Sequence, residues 1–340
     1  FAFPAGGSVM SAWTHIVGSW TCHVPVPASL ERMQAPGPQH VEDIEVSHAR
    51  AEDGTIKFLT GLEDGHEVES VILPLRGSTG RIRRTLCVSS QVGCAMGCTF
   101  CETAQMGLVR SLDASEILLQ WSVARYRFNS VIDNIVFMGM GEPLDNVEAV
   151  IESIQGLVNQ QGPSIASSRI SVSTVGRIDG IRKLSRFISE SSFGRIRLAV
   201  SINAPNDEIR SSIMPLNRAM PMNDLHDALV DWTTTHRWPI LLEYVLIPGV
   251  NDRVEHADQL AGWVDGLPCR INLIPYNPRR NSPWDPPTDN AVEAFGSALA
   301  AHGLPVNRRI TMGRSLMAAC GQLGNEEIRK RKRIPVRVGD

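Results

Sequence analysis

Between residues 84 and 311 the chain alternates short runs dense in aliphatic and β-branched residues with longer stretches whose apolar positions recur every three to four residues. The short runs predict strands at 84–89, 134–138, 169–175, 195–202, 240–247 and 270–275, with a seventh candidate at 307–311. The stretches between them predict amphipathic helices. Asp113 followed by Glu116 carries the sign of a capping box, and Ile117, Leu118 and Trp121 supply the apolar face behind it. Thr288 is placed to cap a later helix on which Val292, Phe295 and Leu299 share one side, and Gly303 stands where a C′ residue is expected. Strands that alternate with helices pair in parallel through right-handed crossovers. The predicted fold class is therefore α/β, an incomplete (β/α)6 TIM-like barrel whose chemistry belongs at the C-terminal ends of its strands.

Residues 1–80 read differently, as a small N-terminal extension. Pro25, Pro27, Pro36 and Pro38 break any periodicity, and a hairpin follows, with strands at 55–60 and 67–73 around Glu63-Asp64-Gly65. The barrel is expected over 81–325, and 326–340 forms a basic C-terminal tail. With 340 residues and 43% hydrophobic content, the chain can bury a core without disulfide or metal staples. A net charge of -3 argues against capture of nucleic acid by the whole surface and leaves only regional basic patches. No run is long and apolar enough to span a membrane, and the first residues lack the basic region of a secretory signal, so a cytoplasmic protein is expected.

Three of the seven cysteines crowd into Gly93-Cys94-Ala-Met-Gly-Cys98-Thr-Phe-Cys101, directly after the first barrel strand. Intrachain disulfides do not explain such a cluster, and a metal site does. Structural zinc wants four tetrahedral ligands, and a fully ligated ferredoxin cluster also wants four cysteines. Three thiolates instead suit an iron–sulfur cubane with one iron left open for a substrate.

This loop resembles that of the radical S-adenosylmethionine (SAM) superfamily. Six further stretches narrow the resemblance: Cys87-Val-Ser-Ser-Gln-Val-Gly-Cys94, Gly139-Met-Gly-Glu-Pro-Leu144, Ser173-Thr-Val-Gly176, Ala204-Pro-Asn-Asp207, Ile271-Asn-Leu-Ile-Pro-Tyr-Asn-Pro278 and Ala318-Ala-Cys320-Gly-Gln-Leu323. In this order, over roughly 65–325, they are similar to the methyl-cysteine-dependent methyltransferases that act on adenine carbon-2 of rRNA and tRNA, or on adenine carbon-8 in chloramphenicol–florfenicol resistance. The resemblance implies a radical SAM partial barrel with a [4Fe–4S] cluster held by Cys94, Cys98 and Cys101. It implies SAM bound by Gly141, Glu142, Ser173, Ser201, Ile202, Asn203 and Asn277. Cys320 is implied to take a methyl group from one SAM, and a second SAM to furnish the 5′-deoxyadenosyl radical that activates that methyl for addition to an sp2 carbon. Cys87 is implied to resolve the adduct, leaving a Cys87–Cys320 disulfide. Glu69 is implied to handle protons on the substrate base, although an exposed strand carboxylate is the plain alternative. RNA (rRNA or tRNA), a flavodoxin- or ferredoxin-type electron donor, no membrane and a monomeric state complete the expectation.

The chain departs from the family pattern in its shortened N-terminal region, in Met312-Gly-Arg-Ser-Leu-Met317, where acidic residues are usual, and in Asn203, where His is usual. These touch substrate choice more than chemistry, so a small heteroaromatic or peptide substrate stays open. So do a radical SAM enzyme without methyl-cysteine and a non-catalytic iron–sulfur or zinc protein that binds RNA. Basic groups expected near the mouth are Arg81, Arg83 and Arg84, Arg279 and Arg280, Arg308 and Arg309, and Arg329–Arg333 in the tail. Cys22 and Cys269 read as inert buried thiols.

Overall fold

A computed structural model describes Val41 and residues 44–324, apart from positions 52, 78–79, 160–162 and 192. The expectations for residues 1–40, Cys22 and the basic tail with Arg329–Arg333 lie outside the described residues.

One ten-stranded sheet runs through the described chain in the order β1-β2-β3-β4-β7-β8-β9-β10-β11-β12. Its parallel part is β4 (Ile82–Cys87), β7 (Asn134–Phe137), β8 (Ile170–Thr174), β9 (Arg197–Ser201), β10 (Ile240–Leu246), β11 (Cys269–Pro275) and β12 (Val306–Arg308). These match the six strands and the seventh candidate read from the sequence. No pairing among the described residues joins β12 back to the far edge, so the barrel is partial.

The hairpin exists, as β2 (Ile56–Gly61) and β3 (Glu67–Arg76), and a strand the pattern did not reveal, β1 (Val46–Arg50), adds to its edge. β3 also pairs antiparallel with β4 from Val71–Cys87 to Arg76–Ile82, so the extension continues the barrel sheet without a break. A separate two-stranded sheet, β5 (Gln91–Gly93) with β6 (Leu108–Ser111), brackets the cysteine loop and the short helix α1 (Glu102–Met106).

The connecting helices are α2 (Ala114–Ser122), α3 (Val147–Val158), α4 (Ile178–Glu190), α5 (Asp207–Ile213), α6 (Met222–Thr235), α7 (Val254–Trp263) and α8 (Asp289–Ala301). Asp113 caps α2 in a reciprocal box with Glu116, and Thr288 accepts from the amide of Ala291 at the start of α8. Each helix buries its apolar stripe on the sheet, as Ile178, Ile181, Leu184 and Ile188 do on α4. The opposite face of the strands alternates with this core. In β8, Ile170, Val172 and Thr174 are buried toward the helices, whereas Ser171 and Ser173 stay partly open on the inner side. That inner face, at the C-terminal strand ends, is where a cavity remains.

Candidate active site

The cysteine loop is a shaped connection between β5 and α1. Gly93 sits at φ 80°, and a Cβ there would collide with the carbonyl of Gly107. Backbone contacts hold the loop on three sides. The Cys94 amide donates to Gly107 O (3.1 Å), Thr99 N to Ile213 O at the end of α5 (3.0 Å), and Glu102 N to Gly321 O beside Cys320 (2.7 Å). Arg279 Nε donates to Thr99 O at 2.7 Å, between two of the cysteines.

A cavity open to solvent lies over this loop. Cys94, Cys98, Cys101, Gly141, Glu142, Ser173, Ser201, Asn203 and Cys320 all contribute to its wall. Cys320 exposes surface to this cavity while protein surrounds it, so burial still raises its pKa, with the charge of Glu243 as the next cause. Ile202 lies buried in the wall behind, its amide donating to Glu243 O. Asn277 is also buried off the cavity, with its Oδ1 accepting from Thr311 Oγ1 (3.0 Å). Cys87, at the end of β4, is buried behind the wall. Burial pushes its thiol far up, and the nearby charge of Cys320 adds to that. Both are free cysteines.

Glu142 is a buried carboxylate of the cavity. Gly141 before it has φ 99°, with the position of a Cβ only 2.6 Å from Gln91 Cβ, so only glycine brings this turn so close to β5. Glu142 Oε1 accepts from Leu144 N (3.0 Å) and Oε2 from Val175 N (2.9 Å). Burial nevertheless lifts its pKa to about 7, because the two amides only partly offset the lost hydration. A cationic ligand group would complete its pairing.

Several functional neighbours escaped the sequence reading. Glu243 of β10 is a buried carboxylate on the wall, hydrogen-bonded by Asn272 Nδ2 (2.7 Å), and burial raises its pKa. Its signal was a single acid in the apolar run Ile240–Leu246. Arg210 of α5 is fully buried and makes no ion pair among the described residues. It donates to the carbonyls of Val175, Ser201 and Ile202 and to Asn217 Oδ1, tying together the ends of β8 and β9. Burial lowers its pKa to about 10.

Three expectations need correction. Glu69 is not an exposed strand carboxylate; it is 3% exposed, on β3 behind the cavity wall, paired with Lys57 at 2.9 Å. Arg81, Arg83 and Arg84 occupy the opposite end of β4 from Cys87, so they are not at the mouth. Arg279 and Arg280 are near it but are engaged: Arg279 with Thr99, and Arg280 with Gly324 O (3.2 Å) and Glu102 (3.7 Å).

The cysteine donor set fits a cubane cluster. No group of three or more ligating side chains among the described residues converges as a single ion would require. A cubane instead places each thiolate on a different iron, so three thiols spread around one cavity are what it needs. Burial raises the pKa of Cys94 to about 12 and lifts Cys98 and Cys101 as well, so all three are neutral thiols at pH 7 until iron displaces their protons.

Comparison with known proteins agrees with this geometry. Residues 88–261 match the model of the Radical SAM superfamily. The chain is 41% identical over 287 residues to a probable dual-specificity RNA methyltransferase RlmN 1 of Protochlamydia amoebophila, covering 84% of this chain and 78% of that protein. It is 41% identical over 284 residues to the dual-specificity RNA methyltransferase RlmN of Lawsonia intracellularis, covering 82% and 78%. The crystal structure of a radical SAM methyltransferase from Sphaerobacter thermophilus superposes with a TM-score of 0.77 at 37% identity, covering 86% of this chain and 87% of that one. The cysteine loop, the carboxylate cavity and these relatives lead to one assignment: the chain is a radical SAM enzyme, with a [4Fe–4S] cluster and SAM as cofactors, and belongs to the RlmN family of methyltransferases.

Proposed function

We propose that the protein methylates an sp2, amidine-type carbon of an adenosine in rRNA or tRNA, through a methylated Cys320 and with two SAM molecules per turnover. The observation that carries this reading is Cys320 itself, which opens onto the same cavity as the three cluster cysteines and Glu142, with Cys87 close enough behind it to feel its charge. When bound, the cluster supplies the electron that cleaves SAM, and SAM supplies the methyl group.

The chain's own residues account for the rest. Cys94, Cys98 and Cys101 hold the cluster. Glu142 accepts the ligand's ammonium, and Ser173, Ser201, Asn203, Gly141, Ile202 and Asn277 orient or back the remainder. The Cys320 sulfur takes a methyl by displacement and carries it; after one hydrogen atom of that methyl is lost to the radical a second SAM would supply, its carbon can bond to the substrate carbon, and the adduct then gives up one electron and the proton of that carbon. Cys87, as the thiolate, then attacks the Cys320 sulfur; the S–C electron pair leaves with the base and takes up a proton to give the methyl product, and the disulfide left behind must be reduced before the next turnover. Glu69 handles the proton lost from the substrate carbon. A flavodoxin- or ferredoxin-type protein is the proposed electron donor, the working unit is a monomer, and the basic tail 326–340 meets RNA phosphates.

The test is a pair of cysteine variants assayed anaerobically with RNA. Cys320→Ala should accept no methyl group. Cys87→Ala should accumulate an RNA–protein adduct through Cys320 that survives denaturation. Normal turnover by Cys87→Ala refutes the resolving role, and RNA from expressing cells with no additional methyladenosine refutes the substrate.

A further inference from the structure

Cys320 lies in a segment without helix or strand, yet a catalyst that carries a methyl group on one sulfur needs that sulfur held in place. Two bonds from one buried ion pair meet the ends of the segment. Lys57 of β2 and Glu69 of β3 sit diagonally across the hairpin on the same face, Nζ to Oε2 2.9 Å, with side chains 10% and 4% exposed. Lys57 Nζ also donates to the carbonyl of Met317 at 3.1 Å, three residues before Cys320. Glu69 Oε2 also accepts from the amide of Gly324 at 2.8 Å, four residues after it.

The first bond falls on a strained residue. Met317 has φ 52° and ψ 45°, the left-handed conformation that a long L side chain rarely adopts without tertiary support. The turn itself supports this conformation through Met317 N on Arg314 O (3.2 Å) and Ala318 N on Gly313 O (3.1 Å), and the Lys57 bond to the Met317 carbonyl is its side-chain support from the hairpin. The far side of the segment is fixed separately, by Thr103 Oγ1 on Leu323 O (2.6 Å) and Gln322 Nε2 on Pro278 O (2.9 Å). The hairpin side therefore supplies the side-chain hold on Met317 and the approach to Cys320.

We infer that Lys57 is a positioning residue for Cys320: its ammonium, shared between Glu69 and the Met317 carbonyl, holds the carrier segment in the conformation from which the sulfur faces the cavity. This rests on the reading of Cys320 as methyl carrier. It also gives the extension a task in the reaction, since β2 and β3 form the shelf on which the carrier segment lies.

The experiment compares Lys57→Met, Lys57→Arg and Lys57→Met/Met317→Gly as reconstituted full-length protein. The readouts are iron content, SAM cleavage without RNA, methyl occupancy of Cys320 by peptide mass spectrometry, and methylated RNA formed per SAM cleaved. Lys57 lies off the cavity wall, so Lys57→Met should keep iron and SAM cleavage within about twofold of wild type. Methyl occupancy and coupling should fall at least tenfold. Lys57→Arg, which can still bridge both partners, should retain most of both. Glycine at position 317 accepts the left-handed conformation without support and should restore part of the loss. If Lys57→Met does not fold, Lys57→Gln serves in its place, because its amide can reach the carbonyl but cannot pair as an ion. Wild-type occupancy and coupling in either variant overturn the positioning role. An unmethylated Cys320 in active wild-type protein overturns the carrier reading and this inference with it.

Discussion

If Glu142 accepts the ligand's ammonium as proposed, lowering the pH through neutrality should weaken SAM binding, because that carboxyl must be ionised to do so. Burial raises this carboxyl to about 7 even though Leu144 N and Val175 N both donate to it. The sign follows from the raised pKa: the competent carboxylate form dominates above about pH 7 and disappears below it. Apparent affinity scales with the competent fraction, which drops from roughly three-quarters at pH 7.5 to roughly one-tenth at pH 6. The dissociation constant for S-adenosylhomocysteine should therefore rise about eightfold over that interval, ~1.2 kcal/mol. Cluster charge moves the midpoint upward, never downward, because a net negative neighbour disfavours a second anion. Glu142→Gln should abolish the pH dependence. Its neutral amide also turns an NH2 toward one of the two backbone donors, leaving that donor unpaired at a cost of about 1–3 kcal/mol. Anaerobic titration calorimetry from pH 6 to 7.5 measures both effects. A dissociation constant that stays flat for wild type, or a slope that survives in Glu142→Gln, refutes the reasoning.

Gly141→Ala should lose more than about 1 kcal/mol of stability in urea unfolding, since alanine is strained at φ 99° and its Cβ meets Gln91. An unchanged midpoint contradicts the close-approach argument. Arg279→Ala should retain less iron after reconstitution, because the lost charge-assisted bond to Thr99 O, about 1.5–3 kcal/mol, pins the backbone between Cys98 and Cys101; wild-type iron content speaks against that clasp. If the basic tail meets single-stranded RNA, log affinity should fall with log salt at about -0.7 per phosphate contact, and deleting residues 326–340 should flatten the slope without changing SAM cleavage. An identical slope in the truncated protein removes the tail from the RNA-binding surface.

Local signals were legible because each is decided within a few residues. Asp113 and Glu116 lie one helical turn apart, so their capping box depends on nothing remote. The strand runs owe their length and parallel pairing to their own apolar pattern and to the helices between them. The spacing of Cys94, Cys98 and Cys101 was legible for the same reason, because a short loop keeps three cysteines close together; the ordered motifs through Cys320 were read from the family resemblance and from no local signal.

What the tertiary structure decided are relations between distant residues, which no window along the chain contains. Arg81, Arg83, Arg84, Arg279 and Arg280 look alike as sequence. Strand direction puts the first three at the far end of β4, and the fold spends the other two on Thr99, Gly324 and Glu102. An exposed strand carboxylate was the plain alternative for Glu69, but the C-terminal segment closes over β3 and pairs it with Lys57 and Gly324. Glu243 sits in an apolar strand run that gave no sign of a cavity on one side, and Arg210 in a helical pattern that gave no sign of its full burial. Lys57 and Met317 are separated by 260 residues. Hydrophobic periodicity determines which face of an element is buried; which polar groups meet across that burial depends on the packing of whole elements, and desolvation gives those meetings their weight.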